Sequence, residues 1–341
     1  MLGGMLGLFG ILAHLVPLEE RFGLSWLFHL RGPAVAPDNV VVVAIDQPSA
    51  VQMGLSIMPR LWPRDIHAQL IDKLVQEGAR AIIFDLVFDV PSVLAETDER
   101  LAQAIRAAGN VILTERLVHQ NAIVVYDQDR ALSHHVIQEG SGQLLPVIAD
   151  EATARAPFAV PKTDRVNHYW TFKAGAGDMP TVPVLALQLF SLPVYEDLIR
   201  LLRSVDPVAA EQLPTPEHKP DVEDVVFKLR HMFWGQPQLV QHMYARLNRD
   251  SALGPAKKKL LTALINLYAS HDKHYLNFYG PPRTITTVPY YQVLDPGGYP
   301  VERSVSHPVD FKDKVVFVGF SGATQPEQDI CLELAFYERN Q

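Results

Sequence analysis

Residues 40–91 restrict the fold more than any other stretch of the chain. Val40 to Ile45 is a β-branched apolar run halted by Asp46, the pattern of a strand buried on both faces. After Trp62-Pro63-Arg64, the residues Ile66, Leu70, Ile71, Leu74 and Val75 recur at three- and four-residue spacing, and Gly78 supplies a helix stop. Ala81 to Phe84 is a second apolar run, again halted by an acid, Asp85. Strand, helix, strand, with both strands apolar throughout, predicts a βαβ unit with parallel strands and a right-handed crossover. Asp46 and Asp85 then end neighbouring strands at the carboxyl edge of the sheet, where open α/β folds bind their ligands.

The pattern continues. Leu101, Ala104, Ile105 and Ala108 form a stripe on a helix expected from Asp98, with Thr97 as its N-cap and Gly109-Asn110 as its end. Val111 to Thr114 reads as a third strand, Ala122 to Tyr126 as an edge strand, and Leu144 to Ile148 as a short apolar piece. Val182 to Phe190 reads as a helix packed on the sheet. Residues 195–272 change character: helical segments such as VEDVVFKLRHMF and AKKKLLTALINLYAS are separated by prolines, which predicts a helical insertion without a repeat period. Leu276 to Tyr279 and Val315 to Val318 return to strand character. The fold class that follows is α/β, a mainly parallel central sheet with helices on both faces, a helical insertion in the second half and an N-terminal membrane helix.

That last element rests on Met1 to Leu18, which is apolar apart from His14 and lies at the short end of what spans a bilayer. Gly3, Gly4, Gly7 and Gly10 make it a poor helix in water and a tolerable one in lipid. No clear cleavage site is present, so an uncleaved anchor is expected over 1–18, a lead-in over 19–37, a sensory α/β domain over 38–330 and an atypical tail over 331–341. The formal charge of −8 argues against a broad nucleic-acid surface, and Cys331 alone allows neither an internal disulfide nor a cysteine-based zinc site.

Asp46 and Asp85, with Asp329 as a third candidate, gather carboxylates at one sheet edge. Such a group repels itself unless a hard cation, or a ligand's ammonium or guanidinium, sits among them. Arg64 is an alternative countercharge, through a bidentate pair. The competing reading, and the favoured one for any single Asp after a strand, is a cap on backbone N–H groups. Ser49 and Ser321 complete the candidate pocket of Asp46, Ser49, Arg64, Asp85, Ser321 and Asp329. Gly319-Phe320-Ser321-Gly322-Ala323 nearly copies a nucleophile elbow, but no histidine follows Ser321, as a hydrolase triad of that order requires. His271 and His274, three apart, lack a third strong metal ligand nearby. No phosphate-binding glycine motif is present and no cofactor is required.

AIDQPS, WPRDIHAQLIDKL, GARAIIFDLVF, LNFYGPPRTITTVPYYQVLD and FKDKVVFVGFSGAT, in this order and spacing, resemble the second class of CHASE domains, extracytoplasmic sensory modules of bacterial adenylate cyclases, histidine kinases and serine/threonine kinases. The resemblance implies a sensor in the bacterial inner membrane with its main domain outside the cytoplasm. It implies an ionic or small-molecule signal, a cytoplasmic output module, and a dimeric parent. Asn167 and His168 depart from the family's Gly-rich hairpin, and the ending ICLELAFYERNQ departs from its route into further membrane helices and reads as a truncated end. A periplasmic binding protein or hydrolase using the same edge is the alternative.

Overall fold

The computed structural model of the chain describes residues 24–126, 132–161, 166–215, 221–295 and 309–321. Helix α1 (Leu24–Arg31) leads by an irregular segment into β1 (Val40–Ile45), α2 (Gln47–Met53), α3 (Arg64–Gln76), β2 (Ala81–Asp85), α4 (Ala95–Ala108) and β3 (Val111–Glu115). A ribbon of β4 (Leu117–Tyr126) and β5 (Leu132–Ser141) follows, then α5 (Pro146–Ala149), β6 (Ala154–Pro157), β7 (His168–Trp170), β8 (Phe172–Lys173) and β9 (Met179–Pro180). The helical stretch holds α6 (Val182–Phe190), α7 (Tyr195–Arg203), α8 (Pro207–Glu211), α9 (Val222–Phe233), α10 (Pro237–Arg249) and α11 (Pro255–Ala269). The chain then returns through β10 (Lys273–Tyr275), β11 (Thr287–Pro289), α12 (Tyr290–Leu294) and β12 (Val315–Phe320).

Among the described residues the central sheet has the order β11-β1-β12-β2-β3-β6, and every pairing within it is parallel. The inner strands β1, β12 and β2 are short and mostly apolar because both of their faces are covered. On one face, Val41, Val43, Ile82, Phe84, Val316 and Val318 pack with Leu70, Ile71 and Leu74 of α3 and Leu101 and Ile105 of α4. On the other, Ala81, Ile83 and Ile112 share a core with Leu185 of α6, Leu198 and Leu202 of α7, Val226 and Leu229 of α9, and Leu264 and Ile265 of α11. The insertion is therefore the second helical layer of the domain. Arg230 fastens it: the side chain, 1 % exposed, lies between the Phe172 and Trp234 rings, donates to the carbonyls of Tyr268 and Ser270, and pairs with Asp272.

The α/β class, the parallel sheet and the helices on both faces match the expectation; the membrane-helix expectation over 1–18 and the tail over 331–341 lie outside the described residues. No single helix among the described residues is long and apolar enough to cross a bilayer. Several finer expectations are corrected. Ala122–Tyr126 belongs to the separate β4–β5 ribbon, not to the sheet edge; the true edges are β11 and β6. Leu276–Tyr279 is irregular, and the strand lies just before it, where β10 pairs antiparallel with β7. Helix α4 begins at Ala95, not at Asp98, so Thr97 is inside its first turn and its hydroxyl donates to the Leu94 carbonyl at 2.7 Å. The largest difference concerns β12. It pairs with β1 on one side and β2 on the other, so the strands bearing Asp46 and Asp85 are not neighbours.

Candidate functional site

The carboxyl edge is built from the residues that stop each strand. Asp46 is 5 % exposed and extended in backbone, and its Oδ1 accepts from Ser49 N at 2.9 Å and from Ser49 Oγ at 2.6 Å, which caps α2. The capping reading of Asp46 is thus realised. Its second oxygen, Oδ2, is buried without a hydrogen-bond partner among the described residues, a costly state for a carboxylate oxygen shut away from water. Ser49 is fully buried, and its Oγ also lies 3.4 Å from the Tyr291 amide, so the cap is tied to α12.

Asp85 ends β2 in register with Gly319 of β12, which is itself in register with Ala44 of β1. A Cβ on Gly319 would approach the Asp85 Cβ at 3.3 Å, so the bare glycine leaves room for the carboxyl to stand over the central strand. The residue is exposed, yet desolvation by the surrounding protein raises its pKa above the usual carboxylate range. Two strand spacings, about 10 Å, separate the chains that carry Asp46 and Asp85. They share the edge but not a single small ion. Among the described residues no group of three His, Cys, Asp or Glu side chains is placed to hold a metal.

Arg64 serves neither of them. It is 7 % exposed at the start of α3, where its Nε lies 3.3 Å from Asp98 Oδ1, its Nη2 donates to the Val90 carbonyl at 3.2 Å and its guanidinium covers the Phe88 ring. Asp98 accepts in turn from Ser92 N at 2.8 Å. The pair holds the loop after β2 against the N-termini of α3 and α4, so Arg64 is a structural cation of the rim. Ser321 continues β12, donating its amide to the Ile45 carbonyl at 2.9 Å, with an exposed side chain. Asp329 lies outside the described residues. The structure thus joins Asp46 with Ser49, sets Asp85 beyond Gly319 and Ser321 beside the end of β1, and diverts Arg64.

Three other acids of the rim have cationic partners: Asp98 with Arg64, Asp89 with Arg116 at 3.4 Å, and Glu115 with Arg155 at 3.9 Å. Asp85, and Oδ2 of Asp46, have none among the described residues.

Sequence reasoning passed over what lies beneath the rim. His67 of α3 is fully buried among Trp62, Phe84, Phe88 and Tyr290, with Nδ1 2.9 Å from the Tyr290 hydroxyl and Nε2 unpartnered. Burial, aided by the nearby Arg64 charge, pushes its pKa down to about 3, so the ring is neutral at ordinary pH. A lone histidine on a helix stripe gave no hint of this, and its partner Tyr290 lies 223 residues away. Of the other histidines, His271 packs edge-on to Trp234 and His274 pairs with Ser270 Oγ at 3.1 Å. An open groove of about 610 Å³ between α1 and the 278–281 segment is lined by none of the predicted site residues.

Comparison with curated proteins and with solved structures returned no match. The CHASE2 domain family matches residues 4–330, nearly the whole chain, which takes in both strand-ending acids, the helical layer and the central strand β12. The chain belongs to the CHASE2 domain family, a family of extracytoplasmic sensory domains rather than catalytic ones.

Proposed function

We propose that this chain is the ligand-sensing part of a bacterial inner-membrane signalling protein whose output module, a cyclase or kinase, is carried by other residues. The signal binds at the carboxyl edge of the sheet, and the observation that carries the reading is the unequal treatment of the rim acids. Asp98, Asp89 and Glu115 are neutralised by arginines, while Asp85 and the buried Oδ2 of Asp46 have no such partner among the described residues. A carboxylate oxygen kept dry and unpaired is most readily satisfied by a ligand N–H or O–H. The ligand class is therefore a donor molecule with cationic or hydroxyl groups, long enough to reach both acids across β12. A bare metal ion fits less well, given the spacing.

Signalling follows as a population shift, with the ligand favouring whichever rim arrangement meets it best. A continuous set of contacts supports a route out of the site. Asp46 holds Ser49, and Ser49 meets the Tyr291 amide in α12. The chain before α12 runs back through β11 to Phe278, which packs on Phe28 of α1 at 5.4 Å.

Asp46→Asn is the informative substitution, because asparagine caps a helix as well as aspartate while presenting a donor where Oδ2 stood. Thermal unfolding is measured with a panel of polyamines, amino acids and polyols. A ligand that raises the wild-type midpoint should lose that effect in Asp46→Asn and in Asp85→Asn, with the ligand-free midpoints near wild type. Stabilisation unchanged in both variants sinks the rim as the receptor site.

A further inference from the structure

Helix α1 has a face left exposed in the structure. Phe28 and Arg31 secure one side: Phe28 packs edge-on to Phe278, and Arg31 donates to Asn277 Oδ1 at 2.5 Å and to the Phe278 carbonyl. Ala34 N, just after the helix, bonds the Tyr279 carbonyl at 2.7 Å, so α1 is held in a fixed orientation. At about 100° per residue, Trp26, Leu27 and Leu30 fall within one arc of the helix, away from Phe28. All three are largely exposed, at 65 %, 62 % and 74 %, with Trp26 also bordering the groove between α1 and the 278–281 segment. Three large apolar side chains displayed together on an eight-residue helix call for an occupant.

The sequence before the helix says which. Met1 to Leu18 is apolar apart from His14, and the six steps from Leu18 to Leu24 reach at most about 20 Å even when fully extended. Whatever holds the apolar stretch also holds α1 nearby. The arc has the chemistry of a lipid–water boundary: two leucines, a tryptophan whose ring is amphipathic, and Arg31 flanking it with a charge at its tip.

We infer that α1 lies flat on the phospholipid surface with Trp26, Leu27 and Leu30 inserted among the headgroups, fixing the tilt of the sensory domain on the membrane. The inference rests on the proposal that residues 1–18 anchor the chain. Because the opposite side of α1 grips the 277–279 segment that leads to β11, the lipid surface then becomes the fixed support against which rim movements are read.

The test uses the full chain in a Cys331→Ser background, with Leu27→Cys, Leu30→Cys and His29→Cys labelled in turn by an environment-sensitive fluorophore. The chains are reconstituted into phosphatidylethanolamine–phosphatidylglycerol vesicles carrying brominated acyl chains. Expected is co-flotation with the vesicles, with emission lost to bromine quenching at positions 27 and 30 and largely kept at His29, which lies off the arc. Co-flotation without quenching at 27 and 30, or with equal quenching at all three positions, overturns the interfacial placement and leaves the anchor intact. Failure to float overturns both. Since a label perturbs its own site, the Trp26→Phe difference spectrum in the unlabelled chain repeats the measurement: the emission assigned to Trp26 should be quenched, and unquenched Trp26 emission counts against the inference.

Discussion

Asp46 and His67 occupy similar surroundings and are used differently. Both are buried, and both keep one polar atom without a partner among the described residues, Oδ2 and Nε2. Asp46 stands where a strand ends and a helix begins, at the carboxyl edge of the sheet. His67 is sealed beneath that surface by aromatic rings and is stable there because it is neutral. The consequence for stability follows from the sign of its shift. The folded-state value of about 3 is below the ordinary histidine value of 6.5, so its contribution is fully present above pH 6.5 and is lost as the pH falls toward 3. In that window each pH unit costs about 1.4 kcal/mol. His67→Phe should therefore flatten the acid limb of stability against pH, read as the wild-type-minus-variant difference in denaturation free energy from pH 6.5 downward. A difference independent of pH would mean that the ring is not held neutral by burial. Asp85 has the opposite sign, since raising its folded value favours the protonated form and ionisation at higher pH works against the fold.

At the scale of elements, the rim is held in shape by contacts between pieces that the chain order keeps apart. Arg64 opens α3 and Asp98 sits in the first turn of α4, and their buried pair fixes the loop after β2 through the Val90 carbonyl and the Ser92 amide. Removing one partner leaves the other buried and uncompensated, at a cost of about 3–5 kcal/mol, whereas an apolar pair of similar volume comes near to neutral. Arg64→Met and Asp98→Leu should each lower stability strongly in urea denaturation, and the double variant should recover most of the loss. Additive losses would show that each side chain acts through separate contacts. The same logic explains two departures from the sequence reading. Asp98, expected as a helix start, is instead the buried counterion of Arg64, a role set by α3. Arg64, expected as a countercharge for the strand-ending acids, is drawn to Asp98, where it also gains the Phe88 ring.

At the scale of the molecule, one sheet serves two cores. Alternate residues of β2 look in opposite directions: Ile82 and Phe84 toward α3 and α4, Ala81 and Ile83 toward the helices of the insertion. Loosening either layer therefore loosens the strands of the other. Leu74→Ala on one face and Leu229→Ala on the other should each cost about 2–5 kcal/mol and should move a single unfolding transition followed by both circular dichroism and tryptophan emission. A separate early transition in Leu229→Ala would make the helical layer an independent unit.

What the chain alone determined was local and periodic. Apolar β-branched runs stopped by acids, and stripes at helical spacing, gave the parallel α/β class, the α3 and α4 layer and the positions of Asp46 and Asp85 at one edge, because strand and helix periods are written in neighbouring residues. The placement of β12 between β1 and β2, the pairing of Arg64 with Asp98 and the burial of His67 against Tyr290 were decided only in three dimensions. Nothing in a four-residue apolar run states which strands it will separate, and a charge or a ring takes the partner that the packed layers bring to it. Hence the sequence could name the edge, while the fold alone determined which of its acids find a cation among the described residues.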